Sequence, residues 1–286
     1  MRQVITYPGT AGSFSCAAAQ AAFPSGACIG CDTFAQAAQA VVDRSADYCL
    51  LPVENSFAGA VLTTYQLLEK LPLHIVGETM KQVRHQLLGV PGATLDGIRQ
   101  IASHPQAIAQ CDQFLQTLHD VQITPSANTA ISARDVMQRA DPGFAAIASE
   151  EAAAAYGLQI LARNIQTSQQ NTTRFLILSL DETPLATPEK ATVVFTVNNE
   201  VGALVRVLAS FAASGLNMSR IESRPLPDTT FTYFFSADFE GVMDAEHLTR
   251  AMDEAKPFTR ELRLLGIYPK ASKPQQAEYK TDNGRK

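Results

Sequence analysis

The chain has 286 residues, 46% of them hydrophobic and 18% charged, and a formal net charge of −5. It is too long for one hydrophobic core, so two or three domains are expected, with the composition of a soluble globular protein. There is no basic block to suggest nucleic acid and no run apolar enough to span a membrane. An anionic ligand would need local cations and N–H groups, because the overall field would not attract it.

The start, Met1-Arg2-Gln3-Val4-Ile5-Thr6-Tyr7, reads as a strand and not as a signal peptide, which makes a cytoplasmic location the expectation. Strands are predicted at Val4–Tyr7, Tyr48–Pro52, His74–Glu78, Gln86–Val90, Gln100–Ser103, Val121–Pro125, Phe144–Ala148 and Phe175–Leu180. Helices fit Ser15–Ala22, Thr33–Asp43, Val61–Leu71, Pro105–Leu118, Ala127–Arg139 and Glu150–Tyr156. This alternation argues for α/β architecture with largely parallel sheets, in two lobes about a cleft. Residues 1–182 form this first unit. Residues 183–190, with two prolines and two threonines, read as a linker.

Residues 191–270 then read β-α-β-β-α-β, the order of a ferredoxin-like fold. The strands are Ala191–Val197, Met218–Arg224, Phe231–Phe239 and Arg260–Tyr268, and the helices are Ala203–Ala213 and Ala245–Ala255. Leu204, Val207, Leu208 and Phe211 make one apolar helix face. Residues 271–286 are polar without periodicity and are expected to be disordered.

Five cysteines lie in the first half; Cys28 and Cys31 form a lone Cys-x-x-Cys without a second pair for zinc or a thioredoxin-like context. All five are taken as thiols. The five histidines show no metal-ligand spacing, so no metal is expected.

Several strand-to-helix junctions carry small polar groups. Gly9-Thr10-Ala11-Gly12-Ser13-Phe14-Ser15 follows the first strand and opens a helix, a place that suits a carboxylate but lacks the lysine of a P-loop. Glu54-Asn55-Ser56 follows the strand from Tyr48. Ser103-His104-Pro105-Gln106 starts a helix on which Gln110 faces either cleft or solvent, and Asn128-Thr129-Ala130 repeats the geometry. Asn171-Thr172-Thr173-Arg174 runs into the apolar Phe175-Leu176-Ile177-Leu178; Thr173 offers a hydroxyl and Arg174 a planar fork suited to a carboxylate. A cleft lined in this way suits a small polyanion. In the second unit Gly202-Ala203-Leu204-Val205 opens a helix, and Glu222-Ser223-Arg224-Pro225 is either an exposed strand face or a dimer contact.

Together these segments resemble a monofunctional prephenate dehydratase with a C-terminal ACT regulatory domain. The likeness spans about residues 4–268, with Thr173-Arg174-Phe175 its most diagnostic part. With no chorismate mutase helix seen at the N-terminal end, a fused bifunctional form is not expected. The resemblance implies a two-lobed dehydratase domain similar to type 2 periplasmic binding proteins, and a reaction without a cofactor in which prephenate loses carbon dioxide and water to give phenylpyruvate. It makes Thr173 the catalytic hydroxyl, Arg174 a carboxylate ligand, and Asn55, Ser103 and Gln110 substrate or catalytic groups. Glu54 becomes the candidate proton carrier. Gly12, Ser13, Phe14, Ser15, Thr129, Thr172 and Phe175 would contact substrate. It also implies L-phenylalanine as allosteric effector at Gly202, Ala203, Leu204, Val205, Asn217, Glu222 and Ser223, in a homodimer or homotetramer. Two other readings stay open: an arogenate dehydratase, and an amino-acid-binding sensor without chemistry.

Overall fold

A computed structural model describes residues 2–225, 233–241 and 245–272. In chain order the elements are β1 (Val4–Pro8), α1 (Phe14–Ala22), β2 (Ala27–Cys31), α2 (Phe34–Val42), β3 (Tyr48–Asn55), β4 (Gly59–Ala60), α3 (Leu62–Lys70) and β5 (His74–Gln82). There follow β6 (Gln86–Gly89), β7 (Gln100–Ser103), α4 (Pro105–Gln110), α5 (Asp112–Leu115), β8 (Gln122–Pro125), α6 (Thr129–Arg139), β9 (Phe144–Ala148), α7 (Glu150–Tyr156) and β10 (Gln159–Ala162). The chain then returns as β11 (Thr172–Ser179) and ends with β12 (Lys190–Val197), α8 (Ala203–Ala213), β13 (Asn217–Pro225), β14 (Tyr233–Glu240), α9 (Ala245–Ala255) and β15 (Thr259–Tyr268).

Two lobes and a third sheet result. The first lobe holds the order β2-β1-β3-β11-β5, with β4 beside β3; the second holds β10-β6-β9-β7-β8. Neither sheet is largely parallel. β1 runs parallel to β2 and β3, but β11 is antiparallel to β3 and β5. In the second lobe β7 is parallel to β8 and β9, while β6 is antiparallel to β9 and β10. The cause is connectivity: the chain leaves the first lobe after β5 and re-enters it as β11, from the far end of the sheet.

The predicted helix Pro105–Leu118 is two pieces. The Gln110 carbonyl accepts from Thr167 N at 2.8 Å, so it is not available to continue the helical ladder, and the backbone turns at Cys111. β2, β4 and β10 were not expected. Cys28 and Cys31 sit three apart on β2 and pack into different cores, on opposite sides of the sheet. Both are free thiols.

The third sheet has the order β13-β14-β12-β15, all antiparallel, which is the ferredoxin-like order. One face carries α8 and α9 on Val193, Phe195, Ala237 and Phe239. The other face packs onto the first lobe: Val194, Phe234, Leu265 and Tyr268 share a core with Tyr65, Leu68, Leu176 and Leu178. Of the tail expected to be disordered, residues 271–286, the first two are described, and Ala271 N donates to Glu78 Oε1 at 3.0 Å; the rest, and the expected strand start at Phe231, lie outside the described residues.

Backbones approach closely where β15 crosses β5. A Cβ on Gly266 would lie 2.1 Å from the Ile75 carbonyl oxygen and 2.9 Å from its nitrogen. In an open strand Gly→Ala would stabilise slightly. Here we expect Gly266→Ala to destabilise the protein by about 1–3 kcal/mol, as overpacking does. Thermal unfolding checks this; a melting temperature at or above wild type would show that the two sheets separate there at no cost.

Candidate functional site

Successive residues of a strand face opposite sides of the sheet. On β11, Thr173, Phe175 and Ile177 face α1 and the second lobe, whereas Arg174, Leu176 and Leu178 face α2, α3 and the C-terminal sheet. Thr173 stands opposite Asn55 on β3 and Lys81 on β5. The turn after β3 is tied to β11 by Ser56, whose Oγ accepts from Thr172 N at 3.0 Å and donates to the Gln170 carbonyl at 2.9 Å.

A cavity of about 270 Å³ lies between the lobes and is lined by Phe14, Asn55, His85, Gln110, Asn171 and Thr173, among others. A chain of side-chain hydrogen bonds runs along its wall, and the backbone fixes its direction. Asn55 Oδ1 accepts from Phe57 N at 3.0 Å and Ala58 N at 2.9 Å, so Asn55 Nδ2 must be the donor. It donates to Thr173 Oγ1 at 3.0 Å and to Asn171 Oδ1 at 2.7 Å. Asn171 Nδ2 then donates to Gln110 Oε1 at 2.9 Å. Gln110 Oε1 also lies 2.8 Å from His85 Nε2, which must therefore carry a hydrogen. At the other end Thr173 accepts from Asn55, and its own hydrogen has no acceptor among the described residues. The hydroxyl is left to donate into the cavity.

His85 is 2% exposed, with its ring edge-on to Phe14 and its Nδ1 buried without a partner. Burial pushes the imidazole below its ordinary value, against a smaller opposing pull from Gln110. His104 and Thr129 also line the cavity, with Thr129 at the first turn of α6, capped by Asn128 Oδ1 on Ile131 N at 2.7 Å. His85 was not among the expected site residues, and His104 and Asn128 were named only as parts of their stretches. Asn171 was named only as part of its stretch, although it is the hub of the chain. Position 85, beside an apolar strand in the sequence, carried no motif to single it out.

The glycine loop does something other than hold a free anion. Gly12 has φ +77°, and a Cβ there would lie 2.6 Å from Ala152 Cα, so the loop docks directly on α7 of the second lobe. Its carbonyl accepts from Ser149 Oγ at 2.7 Å, and Tyr156 Oη donates to Ala11 O at 3.0 Å. Ser13 caps α1 by accepting from Cys16 N at 3.1 Å, and Ser15 lies in that helix. Of this loop Phe14 reaches the cavity.

Other expected residues lie elsewhere. Arg174 does not face the cavity. Its Nη1 is 2.8 Å from Asp238 Oδ2 and 3.0 Å from Glu78 Oε2, and its Nε is 3.3 Å from Glu54 Oε2. Glu54 lies on the same far side, because a β-bulge at Val53 interrupts the alternation of β3 just before it. Burial by itself would weaken the guanidinium's hold on its proton, but Asp238 and Glu78 outweigh it and hold Arg174 above the ordinary arginine value. Ser103 is fully buried and donates to the Ile147 carbonyl at 2.7 Å. Phe175 is a core residue at 1% exposure. Thr172 meets Ser56 through its backbone and does not line the cavity.

In the C-terminal sheet a pocket of about 530 Å³ lies at the start of α8, lined by Gly202, Ala203, Leu204, Val205, Phe235 and Arg260. Asn217, Glu222 and Ser223 are not part of it. They lie on β13, the edge strand, with Ser223 opposite Phe235 and Asn217 at the far end opposite Glu240.

Because the native histidine resists protonation and the unfolded one does not, stability tied to His85 is complete above its ordinary pKa of 6.5 and is lost as pH falls from there toward the lowered native value. We expect the wild type to lose more melting temperature than His85→Gln between about pH 7.5 and about pH 5.5. Parallel melting curves at the two pH values test this; equal losses would show that His85 does not supply the acid sensitivity.

Comparison with known proteins bears on the family and the fold. A family model described as "PDT: Prephenate dehydratase" matches residues 5–183. Arogenate dehydratase/prephenate dehydratase 2 of Arabidopsis thaliana is 37% identical over 276 residues, covering 93% of this chain and 72% of the relative. A bifunctional N-acyl-homoserine lactone acylase/prephenate dehydratase of Komagataeibacter europaeus is 38% identical over 270 residues, covering 93% and 96%. The crystal structure of prephenate dehydratase from Arthrobacter aurescens in complex with L-Phe superposes with a TM-score of 0.84 at 32% identity, covering 93% of this chain and 89% of that one. With the full length of the first two lobes matched, this chain belongs to the prephenate dehydratase family of carbon–oxygen lyases.

Proposed function

We propose that the protein converts prephenate to phenylpyruvate by decarboxylating dehydration, and that its C-terminal domain binds L-phenylalanine as a regulator. The observation that carries the first part is the Thr173 hydroxyl, which accepts from Asn55 and keeps its hydrogen for the cavity. In the reaction the ring carboxylate departs as carbon dioxide, and its C–C bonding electrons flow into the ring. The C–O bond to the hydroxyl breaks, and the leaving oxygen takes up one proton to become water. Thr173 would donate a hydrogen bond to that oxygen as charge develops on it, a contact stronger in the transition state than in bound substrate. Threonine is too weak an acid to supply the proton itself. Glu54 faces away, so the ionisable groups lining the cavity among the described residues are His85 and His104.

Arg174 is spent on the far side of the sheet, so a substrate carboxylate needs other donors. The first turn of α6 opens at Thr129 on the cavity wall, and its free N–H groups suit an anion. Lys81 and Arg84 line an adjoining cleft of about 300 Å³ that shares Phe14 with the cavity. Lys81 bridges to Glu151 of the other lobe at 2.5 Å.

For regulation, the support is the pocket at Gly202 to Val205 and the relative that was solved in complex with L-Phe. Val201 and Val205 are 97% and 69% exposed beside this pocket, and Glu222 and Ser223 lie on an open edge strand. A second copy seated there would cover the valines and bring its own edge to the effector, which makes a homodimer the functional unit. Inhibition then requires L-phenylalanine to bind a less active arrangement more tightly than the active one.

Arogenate is the second reading, favoured by the relatives named for it. Purified protein should form phenylpyruvate from prephenate faster than phenylalanine from arogenate, and the reverse order would assign it to arogenate. We expect Thr173→Val to keep the fold and lose at least ~10²-fold in kcat on the preferred substrate. A folded variant with wild-type turnover would remove Thr173 from the chemistry.

A further inference from the structure

Arg174 and Thr173 are consecutive on β11, and what holds one constrains the other. On the Arg174 side, four charged side chains meet between the first lobe and the C-terminal sheet. Glu78 and Asp238 are fully buried as side chains, and Arg174 and Lys190 are 7% exposed. Lys190 Nζ lies 3.2 Å from Glu78 Oε2 and 3.8 Å from Asp238 Oδ2. With the Arg174 contacts, two cations and two anions close a ring across the domain junction.

Three strands of the C-terminal sheet reach this ring, and the fourth, β13, reaches Glu54 beside it. β12 supplies Lys190 and also Thr192, whose Oγ1 donates to Asp238 Oδ1 at 2.8 Å. β15 supplies Tyr268, whose hydroxyl is 2.6 Å from Thr192 Oγ1 and, with the Thr192 hydrogen committed to Asp238, donates to it. β14 carries Asp238 itself, and β13 places Arg220 Nε 3.8 Å from Glu54 Oε2. Beyond β15, Ala271 N donates to Glu78 Oε1 at 3.0 Å. From the first lobe, Glu54 stands opposite Arg174 on β3, and Glu78 lies on β5 opposite Leu176, two residues from Met80, which is Arg174's own partner there.

We propose that Asp238, Lys190 and Glu78 are positioning residues for the dehydratase site: by holding Arg174 they fix the end of β11 and thereby the Thr173 hydroxyl in the cavity. The C-terminal domain thus completes the catalytic arrangement from behind, without touching substrate. Lengthwise drift or rotation of β11 would move Arg174 off two carboxylates and the Thr173 hydroxyl off its line to substrate at the same time. Orientation errors of this kind cost turnover more than binding.

This rests on the dehydratase reading, so turnover of prephenate or arogenate by the wild-type chain is measured first. Its absence overturns that reading and the proposal with it, before any variant is compared. Given turnover, Asp238→Asn in the full chain removes the charge at nearly constant volume. The expected result is a folded protein with KM within about twofold of wild type and kcat lower by about tenfold or more. Asp238→Glu should recover part of the loss, and Arg174→Lys should also lower kcat and leave KM in place.

The deciding measurement is the double variant. If Asp238 acts through Thr173, adding Asp238→Asn to Thr173→Val should cost little further. Additive losses overturn the proposal, as does wild-type kcat in Asp238→Asn. Arg174→Lys with raised KM and unchanged kcat would return Arg174 to substrate binding and overturn it too. Should Asp238→Asn not fold, Thr192→Val removes the hydrogen bond to Asp238 without burying an unpaired charge. Its kcat, alone and with Thr173→Val, then decides by the same criteria.

Discussion

Strand alternation at β11 is the constraint on which the rest of the molecule depends. This strand runs between β3 and β5, and both faces of the sheet are covered there. Thr173 and Arg174 therefore cannot share a cavity, although they are neighbours in the sequence. One face builds the cleft and the α1 core through Thr173, Phe175 and Ile177. The other builds the junction with the C-terminal sheet through Arg174, Leu176 and Leu178. A slip of one residue would bury a guanidinium in the cavity and turn the hydroxyl toward the domain junction, so both halves of the structure enforce the same register.

The cleft side is built from neutral dipoles. Asn55, Asn171, Gln110 and His85 form a chain whose sense follows from two backbone N–H groups at Phe57 and Ala58. Reversing any amide would oppose two donors or two acceptors in a buried place, at about 1–3 kcal/mol for each group left unsatisfied. The chain is therefore held in one direction, and that direction ends with a hydroxyl free to donate. Dipoles fixed before substrate arrives need no reorganisation when charge develops on a leaving oxygen. The other anchor is interlobar: Gly12 has no room for a side chain against Ala152, and the carbonyl beneath it is held by Ser149.

Much of this was legible in the sequence. The helices at Glu150–Tyr156 and Ala203–Ala213 and the strands at Gln100–Ser103 and Phe144–Ala148 follow from periodicity and caps alone. Elements that escaped notice are β2 and β10, which are edge strands with one partner each, and β4 with two residues. Half-exposed edges need little apolar patterning, so they leave a weak signal. The antiparallel sense of β11 depends on a chain reversal across about 90 residues and has no local signature. The misplacement of Arg174 and Glu54 has a simpler origin. A polar cluster read along the sequence was taken as a cluster in space, whereas a strand sends alternate members to opposite faces. The family resemblance made Ser103 a substrate or catalytic group, yet the Ile147 carbonyl of the adjacent strand takes its hydrogen.

The charged ring at the domain junction is hard to explain as a source of stability. Replacing such a buried set by apolar side chains is often neutral or stabilising, since each ion gives up its hydration to enter. An apolar alternative is already at hand, because Val194, Phe234 and Leu265 pack against Leu68, Leu176 and Leu178 a few residues away. Apolar contacts, however, tolerate sliding; they carry no direction. Paired charges, among them the hydrogen-bonded Arg174–Glu78 and Lys190–Glu78 pairs, penalise every other register with an unpaired buried ion. This ring sits on the residue that follows Thr173. A specificity of register is useful at that point of the chain, where a displacement of an ångström separates a hydroxyl that meets a leaving group from one that does not.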